Sequence, residues 1–178
     1  MRDHQTKTAL PPAGTFRFGK NWQRYVADYL DPERERVAQA SLVSLLEIDV
    51  RGKEFLDVGA GSGLFSRCAL SLGAKRVLSV DVDPDAITAC RELKAAAGSP
   101  SNWEIIHGSI LETDLLDQMG QGDIVYSWGV LHHTGDMYRA LANVAQLVKP
   151  EGILAIAIYN RVTGRPFDSE RWLKIKRA

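Results

Sequence analysis

The stretch that decides the fold is Phe55-Leu56-Asp57-Val58-Gly59-Ala60-Gly61-Ser62-Gly63-Leu64-Phe65. It runs from an apolar segment through three glycines into a segment with helical spacing, which predicts a strand, a loop and the start of a helix. Glycines at 59, 61 and 63 can adopt positive φ and let a ligand approach the backbone closely. We therefore expect a ligand site where this strand ends.

The spacing of the three glycines separates the classes of ligand. A dinucleotide loop has the pattern G-x-G-x-x-G, but its third glycine would fall at Leu64, and here it comes one residue earlier, at Gly63. Asp57 stands where dehydrogenases usually carry an apolar residue, and its carboxylate suits a cationic amino group better than a pyrophosphate. No Gly-Lys-Ser/Thr follows, so the loop is not a phosphate-binding P-loop.

Strands and helices alternate on both sides of this loop. The predicted strands are Glu54–Val58, Arg76–Val82, Trp103–His107, Asp123–Ser127 and Ile153–Tyr159. The predicted helices are Glu33–Glu47, Leu64–Leu72, a helix from Asp83-Pro84 to about Ala97, Leu111–Met119, and Gly135–Val148 capped by Thr134. This alternation predicts an α/β fold, a doubly wound, mostly parallel sheet with helices on both faces. Ligands in such folds bind beyond the carboxyl ends of the strands.

A second acidic signal follows the second strand, in Val80-Asp81-Val82-Asp83-Pro84. Asp81 comes about twenty residues after the glycine loop, where an acidic residue can accept hydrogen bonds from both ribose hydroxyls. Asp83 is better explained as the cap of the following helix. The sequence thus predicts one ligand carboxylate and one structural carboxylate in this loop.

Composition sets the broad class of protein. The 178 residues carry 22 basic and 22 acidic side chains, and 45% of them are hydrophobic, as in one soluble domain. A net charge of zero argues against a domain that mainly binds nucleic acid. Cys68 and Cys90 cannot form a disulfide framework, so we expect a cytoplasmic protein. No apolar run is long enough to span a bilayer, and no ligand spacing predicts a metal site.

Four features together resemble the class I S-adenosylmethionine-dependent methyltransferases: Asp57–Gly63, Asp81, Gly108-Ser109 and Asp123–Thr134. The resemblance covers about residues 53–159 and is most similar to small-molecule enzymes of the ubiquinone and menaquinone biosynthesis type. It implies S-adenosyl-L-methionine as the cofactor and S-adenosyl-L-homocysteine as the product. The family has seven strands, whereas five are visible in this sequence.

The resemblance implies roles for individual residues. The backbone of Gly59, Ala60, Gly61, Ser62 and Gly63 would line the methionine part of the cofactor, and Asp57 would face its amino group. Asp81 would bind the ribose, Val82 would pack on the adenine, and Ser109 and the backbone of Ile110 would bind the adenine nitrogens. Ser127 and Trp128 would face the methionine part and the methyl group, with Trp128 either a cation–π partner or a wall of the pocket.

Methyl transfer can require a base that deprotonates the acceptor, and whether this protein uses one stays open. His132 and His133 follow the fourth strand and titrate near neutrality, so they are the candidate catalytic residues. Because adjacent side chains seldom point the same way, we expect one at most to face the acceptor. The position after strand four, Ser127–Val130, lacks the Asp/Asn-Pro-Pro-aromatic pattern of DNA amino-methyltransferases.

We therefore expect a small-molecule or lipid-linked acceptor, with no nucleic acid and no integral membrane partner. Oxygen is the favoured methylated atom, and carbon and nitrogen stay open. Two alternatives stay open. One is a catalytically inactive S-adenosylmethionine-binding module that acts through a partner, and the other is an NAD-dependent oxidoreductase.

The predicted domain organisation has three parts. Residues 1–32 form a tail and an aromatic helix, which is either a lid or a docked helix, residues 33–160 form the core, and residues 161–178 form a basic amphipathic helix. The fifth strand would lie at the sheet edge, and soluble proteins rarely leave such an edge bare. We expect the last helix or a second chain to cover it, favour a homodimer through this edge, and interpret the chain as a fragment or a short family member.

Overall fold

A computed structural model describes residues 21, 24, 26 and 28–159 of the chain. The predicted C-terminal helix and most of the predicted aromatic lid and tail lie outside these residues. The described helices are α1 Pro32–Leu46, α2 Leu64–Ser71, α3 Pro84–Ala96, α4 Thr113–Met119 and α5 Met137–Gln146, with a 3-10 helix at Leu131–His133. The strands are β1 Glu54–Val58, β2 Arg76–Asp81, β3 Trp103–His107, β4 Gly122–Trp128 and β5 Val148–Ala157.

The five strands form one parallel sheet in the order β3-β2-β1-β4-β5. β1 lies at its centre, with Leu56 in register with Leu78 on one side and with Val125 on the other. The strand order reverses between β1 and β4, so a crevice opens beyond their carboxyl ends. The predicted doubly wound α/β fold is confirmed, and the glycine loop lies at the crevice.

Each face of the sheet carries its own core, because successive strand residues point to opposite faces. Phe55, Val77 and Trp103 pack on one face against α1, α2 and α3. Leu56 and Val80 pack on the other face, against the buried side chains of α4 and α5. A parallel sheet covered on both faces requires strands that are apolar almost throughout, which is what the sequence shows.

Local hydrogen bonds fix two of the helix starts. Asp83 caps α3 by accepting from the backbone N–H of Asp85 at 3.0 Å, as predicted. The cap of α5 is Asp136, which accepts from the N–H of Arg139 at 3.1 Å. The predicted cap, Thr134, is wrong, because its hydroxyl donates to the Leu131 carbonyl and closes the 3-10 helix instead.

The fifth strand starts earlier than predicted, at Val148 rather than Ile153. Val148 pairs with Gly122, but the next pair joins Ile153 to Ile124, so the predicted turn at Pro150–Gly152 is a bulge within the strand. Within the described part of the chain, β5 pairs with β4 alone and forms the sheet edge. No helix among these residues has the length and apolarity to cross a membrane.

We predict that Gly63→Ala destabilises the fold more than Gly98→Ala. Both glycines have φ near +80°, so each substitution costs about 1 kcal/mol of backbone strain. A Cβ on Gly63 would lie 2.5 Å from Cys90 Sγ and 3.0 Å from the Trp103 ring, whereas a Cβ on Gly98 meets nothing within 4 Å. Overpacking should therefore cost Gly63→Ala about 1–3 kcal/mol more. Urea unfolding measures both losses, and equal losses would contradict this packing.

Candidate functional site

Backbone hydrogen bonds fasten the glycine loop to the end of β2. The N–H groups of Gly59 and Ala60 both donate to the Val80 carbonyl, at 2.7 and 3.0 Å. The N–H of Gly61 donates to Asp81 Oδ2 at 2.8 Å, and that of Gly63 donates to the Ala60 carbonyl at 2.8 Å. These bonds hold the predicted loop, with the buried Ser62 inside it, across the ends of β1 and β2.

Gly59 also brings the glycine loop against the loop that follows β4. It has φ of 77°, and a Cβ at this position would lie within 2.4 to 2.8 Å of the Val130 side chain. Any other residue here would be strained and would push the two loops apart. The two halves of the crevice therefore meet at a glycine that the sequence singled out.

The Asp57 carboxylate is buried directly below the loop, with 2% of the residue exposed. Ser66 donates to Oδ2 from its hydroxyl at 2.6 Å. Burial raises the pKa of Asp57 to about 7, the Ser66 bonds oppose this rise, and the charge of Asp81 adds to it. Among the described residues no cation pairs with Asp57, so the site favours a ligand that brings a positive charge.

The Asp81 carboxylate lies at the end of the neighbouring strand. Its Oδ2 accepts from the Gly61 N–H at 2.8 Å, and its Oδ1 accepts from the Asp83 N–H at 2.9 Å. Burial raises the pKa of Asp81, and these backbone bonds act against that rise. Each oxygen keeps lone pairs for a further hydrogen bond, so the carboxylate fits a pair of adjacent hydroxyls.

The residues predicted around the adenine lie beyond Asp81. The Val82 side chain is 45% exposed, and its carbonyl oxygen lies 3.0 Å from His107 Nε2. The hydroxyl of Ser109 accepts from the Leu111 N–H at 3.2 Å and so stabilises its own turn.

Ile110 points its side chain into the core under α5. Because this side chain is buried, only the backbone of Ile110 can serve a ligand. Its carbonyl already accepts a hydrogen bond from Asn143 Nδ2 at 2.7 Å. Sequence reasoning missed His107 and Asn143. The place of His107 at the end of β3 was the one signal for it, and Asn143 lies within a helix with no motif around it.

Ser127 and Trp128 end β4 in different environments. Ser127 is fully buried and donates its hydroxyl proton to the Val58 carbonyl at 2.8 Å, which ties β4 to β1 at the crevice. Trp128 is 45% exposed and stacks on Tyr126, with the ring centroids 6.1 Å apart and the planes 7° apart. The structure therefore places the Ser127 hydroxyl within the sheet and the Trp128 ring at the rim.

The two histidines lie together on the 3-10 helix after β4. Their ring centroids are 3.9 Å apart, so both occupy the same region, contrary to the expectation for adjacent side chains. Both ring nitrogens of His132 are buried and have no hydrogen-bond partner, and burial lowers its pKa. A neutral imidazole with unused nitrogens can accept a proton from a bound molecule.

Tyr159 completes this cluster and was missed from the sequence. Its ring centroid lies 4.8 Å from that of His132 and 6.3 Å from that of His133. Its Oη would lie 2.5 Å from a Cβ on Gly129, so the contact requires glycine there. Tyr159 follows β5 at the carboxyl edge of the sheet, a position that could have pointed to it. Within the described residues, no three His, Cys, Asp or Glu side chains cluster closely enough to hold a metal ion.

Proteins with similar sequences carry one recurrent name. The chain is 36% identical over 110 residues to a ribosomal protein L11 methyltransferase from Tolumonas auensis, which is 62% of this chain and 35% of that protein. It is 35% identical over 104 residues to the protein of that name from Geobacter metallireducens, or 58% of this chain and 31% of that protein. The chain thus spans about a third of the length of these curated relatives.

These relatives correct the prediction about partners. They are named for methylation of a ribosomal protein, so the predicted small-molecule acceptor without a nucleic-acid partner is wrong. A net charge of zero describes this chain alone, whereas about two thirds of each relative lies outside the match. Charge arithmetic on this segment therefore could not exclude a ribosomal partner.

Solved structures share the fold. A S-adenosylmethionine-dependent methyltransferase from Aquifex aeolicus superposes with a TM-score of 0.62 at 17% identity, covering 82% of this chain and 77% of that one. One from Mesorhizobium loti has a TM-score of 0.55 at 24% identity, covering 68% and 53%. At these identities the similarity shows the sheet and its helices alone.

The family itself is shown by the core of the chain. Residues 56–156, which run from β1 to β5, match the family described as a methyltransferase domain. The cofactor of this family is S-adenosylmethionine. Its amino group fits the buried Asp57 carboxylate, and its ribose diol fits the Asp81 carboxylate, both of whose oxygens can accept a further hydrogen bond. The chain therefore belongs to the class I S-adenosylmethionine-dependent methyltransferases.

Proposed function

We propose that this chain transfers a methyl group from S-adenosylmethionine to a protein acceptor, and that the crevice above β1, β2 and β4 is the cofactor site. One observation carries the proposal: two carboxylates, the buried Asp57 and the partly buried Asp81, lie at the ends of neighbouring strands under a glycine loop. One lacks a cation among the described residues and the other has spare acceptor capacity. Residues 33–160 form the functional core in this proposal.

The places of the residues support the following cofactor contacts as part of this proposal. Asp57 binds the amino group, and Asp81 binds the ribose hydroxyls. The loop backbone encloses the methionine part through Gly59, Ala60, Gly61, Ser62 and Gly63. Val82, Ser109 and the backbone of Ile110 flank the adenine. Trp128 forms a wall near the methyl group, and Ser127 holds β4 against β1.

When bound, S-adenosylmethionine supplies a methyl group on a sulfonium centre that is already activated for displacement. The protein aligns the acceptor with that methyl group and keeps water away. His132 takes the proton that the acceptor nitrogen or oxygen loses as its new bond to carbon forms. Its lowered pKa keeps the imidazole neutral near pH 7, so it is ready to act as the base. O-methylation, which the sequence favoured, stays a prediction beside N-methylation.

The relatives support a ribosomal protein as the acceptor, with L11 as the first candidate. The greater part of each relative lies outside the match. The acceptor of this chain therefore needs its own test and is not taken over from the names of the relatives.

We predict micromolar binding of S-adenosylmethionine and S-adenosylhomocysteine, no useful binding of NAD, and transfer of labelled methyl groups to ribosomal protein. Calorimetry with the three compounds tests the cofactor. Incubation with labelled cofactor and either purified ribosomal proteins or a low-molecular-mass metabolite fraction tests the acceptor. Tight NAD binding would overturn the cofactor site. Label in metabolites alone would overturn the protein acceptor, and binding without any transfer would indicate an inactive module.

We predict that Asp81→Ala weakens cofactor binding by about 2–3 kcal/mol, because two charge-assisted hydrogen bonds are lost. The glycine loop also loses its bond from Gly61 to Asp81, which adds to the effect. The matched control is Asp85→Ala, since Asp85 lies in the first turn of α3 and its carboxylate takes no part in the proposed site. Calorimetric dissociation constants that are the same for both variants would place the ribose elsewhere.

We predict that His132→Ala lowers kcat about 100-fold or more and leaves the cofactor dissociation constant nearly unchanged. His133→Ala is the matched control and should differ from it. In the wild type, kcat should fall as pH drops through the pKa of His132, which burial holds below the ordinary value of 6.5. Steady-state rates measured against pH test this prediction. Equal and negligible losses in both variants would remove the pair from the mechanism.

A further inference from the structure

A row of buried hydrogen bonds runs beneath the glycine loop across three strands and one helix. Trp103 Nε1 on β3 donates to Ser79 Oγ on β2 at 2.8 Å. Ser79 Oγ lies 2.6 Å from Ser66 Oγ on α2, and Ser66 donates to Asp57 Oδ2 on β1 at 2.6 Å. All four residues are at most 2% exposed, so water does not compete for these bonds.

The chemistry of the end groups gives every bond one direction. An indole nitrogen can only donate, so Ser79 accepts from Trp103. An ionised carboxylate can only accept, so the single proton of Ser66 goes to Asp57. The contact between the two serines must then use the proton of Ser79. The polarity therefore runs from Trp103 through Ser79 and Ser66 to Asp57, and each donor points toward the carboxylate.

We propose that Ser66, Ser79 and Trp103 are positioning residues that hold the Asp57 carboxylate charged and oriented for the amino group of the cofactor. The inference rests on the proposed role of Asp57. A carboxylate buried without a cation is unstable as an ion unless hydrogen bonds support it. The row of hydrogen bonds from Trp103 to Asp57 forms a relay that supplies such support. The direction of the relay is fixed, because the Trp103 indole has no acceptor site in its ring plane.

The charge balance around Asp57 agrees with this role. Burial raises the pKa of Asp57 to about 7, and the bonds from Ser66 oppose that rise. A carboxyl group in this range changes its charge near neutral pH, so a modest loss of support changes how much of the protein can bind a cation. The effect of the relay is thus measurable under ordinary conditions.

Four other titratable groups face Asp57 from the elements packed around it: Asp81 on β2, Cys68 on α2, Cys90 on α3 and Tyr126 on β4. Burial raises the pKa of both thiols to about 12 and also raises that of the phenol, so these three are neutral near pH 7. Asp81 is the remaining charge of the four, and its repulsion makes support from the relay more necessary.

The test compares two ligands at several pH values by calorimetry on the full chain. S-adenosylhomocysteine carries the amino group, and 5′-methylthioadenosine has the same adenine, ribose and sulfur but no amino acid. We expect Ser79→Ala and Trp103→Phe to weaken S-adenosylhomocysteine binding about 3- to 10-fold at neutral pH, the effect of one lost buried hydrogen bond. Binding of 5′-methylthioadenosine should stay within about twofold.

The pH profile separates positioning from general damage to the fold. Asp57 binds the cation in its charged form, so a variant with less support for that form needs a higher pH to reach it. The midpoint of S-adenosylhomocysteine binding should therefore move to higher pH in both variants. In Ser79→Thr, which keeps the hydroxyl, the midpoint should stay at the wild-type value. An unmoved midpoint in folded variants would overturn the inference.

Asp57→Asn distinguishes the failure of this inference from the failure of the proposed site. If Asp57→Asn weakens S-adenosylhomocysteine but the relay variants do not, the site stands and the relay is wrong. If Asp57→Asn weakens neither ligand, the proposed role of Asp57 is wrong and the inference falls with it. Should Ser79→Ala fail to fold, Ser66→Ala and the double variant Ser79→Ala/Trp103→Phe, which leaves no orphaned indole donor, give the same comparison.

Discussion

The tie between the Asp81 carboxylate and the Gly61 N–H is the interaction on which the site depends. It joins the end of β2 to the middle of the glycine loop, next to the bonds that Gly59 and Ala60 make to Val80. Because these donors are used inside the protein, the loop has a set shape before any ligand arrives. The same carboxylate keeps lone pairs for a ligand, so loop structure and ligand binding share one residue.

The central place of β1 explains why the Asp57 carboxylate is buried beside the partly buried Asp81. β1 is hydrogen-bonded on both edges and covered by helices on both faces, so Asp57 at its end has little access to water. Burial alone would neutralise this acid. The hydroxyl of Ser66 and the groups behind it work against that tendency, and a cationic ligand would complete the balance. A strained electrostatic arrangement of this kind is typical of functional sites.

The proposed acceptor side of the crevice is built differently from the proposed cofactor side. Its groups are aromatic and imidazole rings that come from the loop after β4 and from the residue that follows β5 closely, Tyr159. The three rings pack against one another, and Tyr159 also packs against Gly129. The orphaned nitrogens of His132 stand out in this setting, because a buried polar atom without a partner is costly unless it serves a bound molecule.

The sequence by itself determined the fold class, the bounds of β1 and β3, and the place of the glycine loop. These depend on local signals: apolar strands, the Asp83-Pro84 helix start, and glycines at set spacing beside an acidic residue. Tertiary structure alone decided the start of β5, because Val148 is in the strand through its pairing with a residue 26 positions earlier, Gly122.

Tertiary structure likewise decided which groups support Asp57. The three successive hydrogen bonds that lead to Asp57 join residues that are 9, 13 and 24 positions apart in the sequence. Only the strand order of the folded sheet brings these residues into one row. A serine or a tryptophan in an apolar segment carries no local mark of such a role. Spacing along the chain shows which residues end strands, but the packing of the strands shows what those residues meet.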